Sequence, residues 1–165
     1  ALKAMNLNDQ SIEQNLTELV GKTGEKMEIA GFESISAEKT SAYNHMGNKL
    51  ATIVGLNKAD ISSDIGHQLA MQVAAMNPVA VDRDNVPQEV IDKELEIGKE
   101  QALAEGKPEN IVDKIAQGKL AKFFKENTLM SQDFVRDTKI TVAEYLKQQD
   151  PELKVTGFHR LMLGE

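Results

Sequence analysis

The sequence predicts an α+β fold of two small lobes, antiparallel sheets packed by helices, with a protruding antiparallel helical hairpin. Three observations carry that expectation. Residues 50–56 are apolar except for Thr52, the composition of a central strand covered on both faces. Ile65, Leu69, Val73 and Met76 recur at helical spacing and stop at Pro78. From Pro87 the stripe becomes Ile91, Leu95, Gly98 and Ala102, is broken by Gly106 and Pro108, and resumes at Val112, Ala116, Leu120 and Phe123. That is the pattern of two antiparallel helices packed mainly on each other.

In chain order, Ile12, Leu16, Leu19 and Val20 predict a short amphipathic helix ending at Gly21. Met27 and Ile29 then alternate with charged residues as in a strand, with a bulge or bend near Gly31 and Phe32. Gly47-Asn48 separates residues 43–46 from 49–54 and suits a type II′ hairpin, so a three-stranded antiparallel sheet is expected. Ser62 and Ser63 are available to cap the helix that begins near Ile65. Past the hairpin, residues 129–135 read as extended, and Thr141 and Glu144 have capping-box spacing for a short helix. Residues 155–163 are dense enough in apolar side chains to form a strand of a second sheet. The predicted domains are residues 1–80, a first lobe, and residues 81–165, a second lobe with the hairpin at about 87–127.

Composition narrows the function. With 165 residues the chain can bury a core of its own. No run approaches the roughly 20 apolar residues of a membrane helix, so no membrane association is expected. The net charge is −7 and the basic residues are interleaved with acidic ones, which disfavours direct nucleic-acid binding. Cysteine is absent, excluding disulfides, thiolate nucleophiles and cysteine-ligated metals and fitting a reducing compartment, with cytoplasm the expected location. The start at Ala1, without an initiator Met or an export signal, reads as a fragment or processed product.

No catalytic residue, metal site or cofactor is predicted. His45, His67 and His159 lie far apart and share no ligand spacing. His45 is expected to pair within its strand and His67 to sit on a polar helix face. Gly21-Lys22-Thr23-Gly24 lacks the spacing of a phosphate-binding loop, and no serine sits in a nucleophile elbow. The chain therefore reads as a non-enzyme. Met76 falls on the helix's core stripe; Met71 and Gln72 lie off it, among the small residues Ala70, Ala74 and Ala75, and are interface candidates. Phe134, after the polar residues 131–133, is either the first core residue of a strand or an exposed anchor.

Several separated segments point to one family. Leu69-Ala70-Met71-Gln72-Val73-Ala74-Ala75-Met76-Asn77-Pro78, Val20-Gly21-Lys22-Thr23-Gly24-Glu25, Ser41-Ala42-Tyr43-Asn44-His45, Gly118-Lys119-Leu120-Ala121-Lys122-Phe123 and Val155-Thr156-Gly157-Phe158 occur in the order found in elongation factor Ts. The chain resembles the core and dimerisation part of that family from about Leu16 onward. The family's amino-terminal helical module and its Thr-Asp-Phe-Val motif, which wedges into the partner GTPase, have no match here. The resemblance implies promotion of GDP release from EF-Tu, with a possible homodimer. The family's contact places match Met71, Gln72 and Val73 on the first lobe's helix, and Phe134, Val135 and Arg136 after the hairpin. Two positions depart: Gln72 stands where histidine is frequent, and Arg136 where an apolar residue is familiar. The alternative expectation is a structural dimerisation module with no exchange activity of its own.

Overall fold

The structure, a computed structural model, describes residues 2–164. It has an α+β fold, and its chain contacts gather into two compact units, Ala1–Ser34 and Ile35–Glu165. The sequence-based boundary near residue 80 thus lies inside the larger unit.

The smaller unit holds β1 (Asn6–Leu7), β2 (Gln10–Ser11) and α1 (Ile12–Thr23). Ser11 accepts the Gln14 N–H while the Gln14 side chain accepts the Ser11 N–H, a capping box that fixes where α1 begins. The helix runs three residues past the expected stop, because Gly21 stays helical and Gly24, at φ 72°, takes the left-handed closing position. Residues 26–37 carry no helix or strand, so the strand expected at Met27 and Ile29 does not form. Alternation alone supplies no hydrogen-bonding neighbour.

The larger unit is built on an antiparallel sheet of β3 (Lys39–Asn44), β4 (Leu50–Leu56) and β7 (Val155–Met162), ordered β3-β4-β7. The last strand therefore completes the first sheet instead of starting a second one. Its register sets Val54 opposite Phe158 and Gly55 opposite Gly157. A Cβ on Gly55 would meet the Thr156 hydroxyl at 2.7 Å and Ile35 at 2.9 Å, so glycine here lets the segment at 35–37 lie against the sheet. The β3–β4 turn also differs from a type II′ hairpin. The Asn48 N–H donates to the His45 carbonyl, placing Gly47 third in the turn, and both Gly47 and Asn48 have positive φ.

α2 (Ser63–Met76) covers the sheet, with Ser62 as its cap accepting the Asp64 N–H. Thr52, the one polar residue of β4, is buried and donates its hydroxyl to the Ala70 carbonyl at 2.8 Å. One core then runs from Val54, Leu56, Ile65, Leu69 and Val73 to Leu129, Phe134, Val142, Leu146 and Val155.

α3 (Gln88–Ala104) and α4 (Glu109–Asn127) form the expected hairpin. Gly98 brings them together, since a Cβ there would lie 3.1 Å from the Ala116 Cα. Ion pairs cross between the arms from Lys99 to Asp113 and from Lys119 to Glu105. At the base, Leu120 and Phe124 pack with Ala80 and Val86, and the Arg83 guanidinium lies over the Phe124 ring. Phe124 is the buried one of the phenylalanine pair, where the stripe had favoured Phe123.

After α4 come a 3-10 turn at Leu129–Ser131, then β5 (Asp133–Phe134), β6 (Asp137–Thr141) and α5 (Val142–Gln149). Thr141 and Glu144 make the predicted capping box. Two hydrogen bonds from Thr141, backbone N–H and hydroxyl, hold the Glu144 carboxyl below its usual range. Lys58, just past β4, donates to Asp150 at 2.6 Å and Glu152 at 3.2 Å, raising its own pKa and lowering that of Asp150. No helix among the described residues is long and apolar enough to cross a membrane.

Candidate partner-binding site

The six residues implicated as partner contacts divide between surface and interior. Met71 is half-buried, and Val135 and Arg136 are exposed. These three line one open groove of about 590 Å³ together with Tyr43, His45, Leu50, Ala74 and Ala75. Gln72 and Val73 are fully buried, and Phe134 is only 4% exposed.

The groove is a product of α2's position. One side of that helix packs on the sheet; another is covered by the β5–β6 turn, so its buried surface is wider than a single stripe. Gln72 is consequently interior, where the spacing had placed it on the surface. The same geometry corrects Met76, which is 41% exposed and off the core. Phe134 is a core residue: its ring stacks on Tyr145 with centroids 4.1 Å apart and planes 14° from parallel. Burial, foremost, raises the Tyr145 hydroxyl's pKa.

Gln72 is buried with hydrogen bonds on both ends of its amide. Its Oε1 accepts the Val135 N–H at 2.9 Å, and its Nε2 donates to the Asp133 carbonyl at 3.1 Å and to Gln132 Oε1 at 3.3 Å. The β5–β6 turn is thereby tied to α2, and Val135 and Arg136 of that turn line the groove. Ala74 and Ala75 add only small side chains to the lining. Across the groove, Tyr43 shares a 2.8 Å hydrogen bond with His45 Nδ1, and its ring meets His67 edge-on. His67 is exposed on its helix, and His45 follows β3.

The arrangement suits protein contact. The groove's lining offers a thioether, a leucine, a β-branched side chain, a guanidinium, a phenol, an imidazole and two alanines. Among the described residues no group of three or more histidines and carboxylates is placed to hold a metal ion. Sequence did not place Tyr43, His45 and Leu50 in a common groove with Met71 and Arg136, because that groove is assembled from α2, β3 and the β5–β6 turn, segments more than 90 residues apart, and periodicity within each gives no sign of it.

Comparison with known proteins agrees with the separated motifs. The family model described as Elongation factor TS matches residues 1–165. The chain is 48% identical over 164 residues to elongation factor Ts of Porphyromonas gingivalis, covering 99% of this chain and 60% of that protein. It is 46% identical over 165 residues to elongation factor Ts of Amoebophilus asiaticus, again 99% of this chain and 60% of the relative. Against elongation factor Ts of Flavobacterium psychrophilum it is 44% identical over 162 residues, covering 98% and 59%. The chain thus spans about 60% of the length of these curated relatives.

Proposed function

Because the chain belongs to the elongation factor Ts family, we propose that it docks on the translational GTPase EF-Tu through the groove between α2 and the β5–β6 turn, and that it promotes GDP release. The observation that supports this reading is the convergence of Met71, Val135 and Arg136 on that groove. The mechanism is linkage. A protein that binds the nucleotide-free GTPase more tightly than the GDP form weakens GDP by the same factor, by thermodynamic necessity. No bond is made or broken by this chain, so its role is that of a binding protein rather than an enzyme, acting in the cytoplasm where translation occurs.

Met71 and Val135 supply adaptable apolar contact, and Arg136 supplies charge at the rim, where a carboxylate of the partner would meet it bidentately. Gln72, Val73 and Phe134 serve the surface from beneath. The deciding experiment is titration of the chain into EF-Tu, first GDP-loaded and then nucleotide-free, with release of a fluorescent GDP analogue followed in parallel. Preferential binding to the nucleotide-free form, with faster release, bears the proposal out. Binding to neither form, with self-association on a sizing column, replaces it with the dimerisation module.

A further inference from the structure

We infer that Gln132 is a positioning residue for the groove, bracing the Gln72 amide in the orientation its backbone partners also require and through it the place of Val135. The inference rests on the docking reading above for its consequence, and on the geometry of two buried amides for its substance. Gln132 is 1% exposed, in a segment whose neighbours in sequence, Ser131 and Asp133, are polar and partly or fully open. Burying an amide is favourable only where its groups find partners.

Gln132 Nε2 donates to the Met76 carbonyl at 3.3 Å and to the Glu126 carbonyl at 3.0 Å. Met76 is the last residue of α2 and Glu126 the penultimate residue of α4, so both carbonyls are among those that a helix leaves without an internal partner. A carbonyl can only accept. The two helix ends therefore dictate which way the Gln132 amide points: nitrogen toward them, oxygen away.

That choice propagates. With Gln132 Oε1 facing α2, the group opposite must donate, and Gln72 presents Nε2 to it at 3.3 Å. Gln72 Oε1 is then turned to the other side, where it accepts the Val135 N–H at 2.9 Å. Reversing the Gln72 amide would set oxygen against the Asp133 carbonyl and nitrogen against the Val135 N–H, two like pairs. Each link has one orientation that satisfies it. One connected set of hydrogen bonds thus runs from two helix termini, through Gln132 and Gln72, to the backbone of a groove-lining residue.

The test uses amide hydrogen exchange, read at Val135 and, as a reference for the core, at Leu69. In the unaltered chain the Val135 amide should be protected although the residue is 39% exposed. Gln132→Met keeps the volume and removes both ends of the amide; it should speed Val135 exchange about tenfold relative to Leu69, the effect of losing one hydrogen bond. Affinity for nucleotide-free EF-Tu should fall by about the same factor. If Gln132→Met does not fold, Gln132→Glu serves, and protection of Val135 should return as the pH falls and the new carboxyl regains a proton to donate. An unprotected Val135 amide in the unaltered chain, equal acceleration at Val135 and Leu69, or a released Val135 with unchanged EF-Tu affinity overturns the inference. An unaltered chain that binds no EF-Tu removes the docking reading, while the exchange at Val135 still decides whether the relay exists.

Discussion

The Val135 N–H donates to Gln72 Oε1 at 2.9 Å, joining an exposed rim residue to a side chain that is fully buried on α2. Gln72 is thus held in place by three hydrogen bonds before any partner arrives. Surface and interior are coupled at this contact, and substitutions on its two sides have different expected outcomes.

Gln72→Ala should destabilise the folded chain. It leaves the Val135 N–H and the Asp133 carbonyl without their partner and opens space in the core, for an expected loss of about 2–4 kcal/mol. Chemical denaturation with an unchanged m-value measures it. A change within about 0.5 kcal/mol, the ordinary effect at a surface position, would contradict the network.

Phe134→Ala should lower the melting temperature sharply. Its ring stacks on Tyr145 in the core, and removing such a side chain typically costs about 3–5 kcal/mol. Reduced EF-Tu binding in this variant would follow from unfolding, so measurements belong at a temperature where it remains folded.

Arg136→Ala and Met71→Ala report on the proposed docking surface itself. At residues that line the groove, truncation is expected to weaken EF-Tu binding by about 1–3 kcal/mol, roughly 5- to 150-fold. For the exposed Arg136, stability should stay within about 0.5 kcal/mol. Unchanged affinity in both variants, with folding intact, would take this groove out of the interface.

The hairpin should be separable only beyond its base. Leu120 and Phe124 pack on Ala80 and Val86, so deleting residues 87–127 uncovers that cluster, whereas replacing residues 96–118 by a short Gly-Ser loop preserves it. The shorter deletion should melt cooperatively and the longer one should lose stability. Within the arm, Gly98→Val crowds the Ala116 backbone and should destabilise by about 1–3 kcal/mol, with the loss seen in α3 and α4 amides and not in β4.

Acid should release two contacts. The carboxyls of Glu144 and Asp150 titrate below their ordinary 4.5 and 3.8, so their contributions are present above those values and vanish as the pH falls through the lowered ones. Lys58, raised above 10.5, behaves oppositely and loses its contribution only as the pH rises through its raised value. The stability difference between the unaltered chain and Lys58→Met should therefore narrow in acid, once Asp150 is protonated. A difference that persists undiminished at low pH would show that Lys58 acts through packing of its stem.

Sequence by itself determined the local elements. Ser62 and Pro78 bound α2, Thr141 and Glu144 start α5, Gly106 and Pro108 divide α3 from α4, and the apolar run at 50–56 becomes the central strand, because caps, breakers and periodicity act within a few residues. It also carried the family, since short motifs survive in order along the chain. Tertiary structure alone decided what those elements meet. That β7 returns about 100 residues later to pair with β4, that Met76 faces outward while Gln72 faces inward, and that Phe134 finds Tyr145 are outcomes of long-range pairing. A helix covered on one side shows one stripe; α2 is covered by the sheet and by the β5–β6 turn, and no pattern within its own residues announces the second neighbour. The same holds for Gln132, which reads as part of a polar turn until two helix ends converge on it and turn its amide into the partner of Gln72.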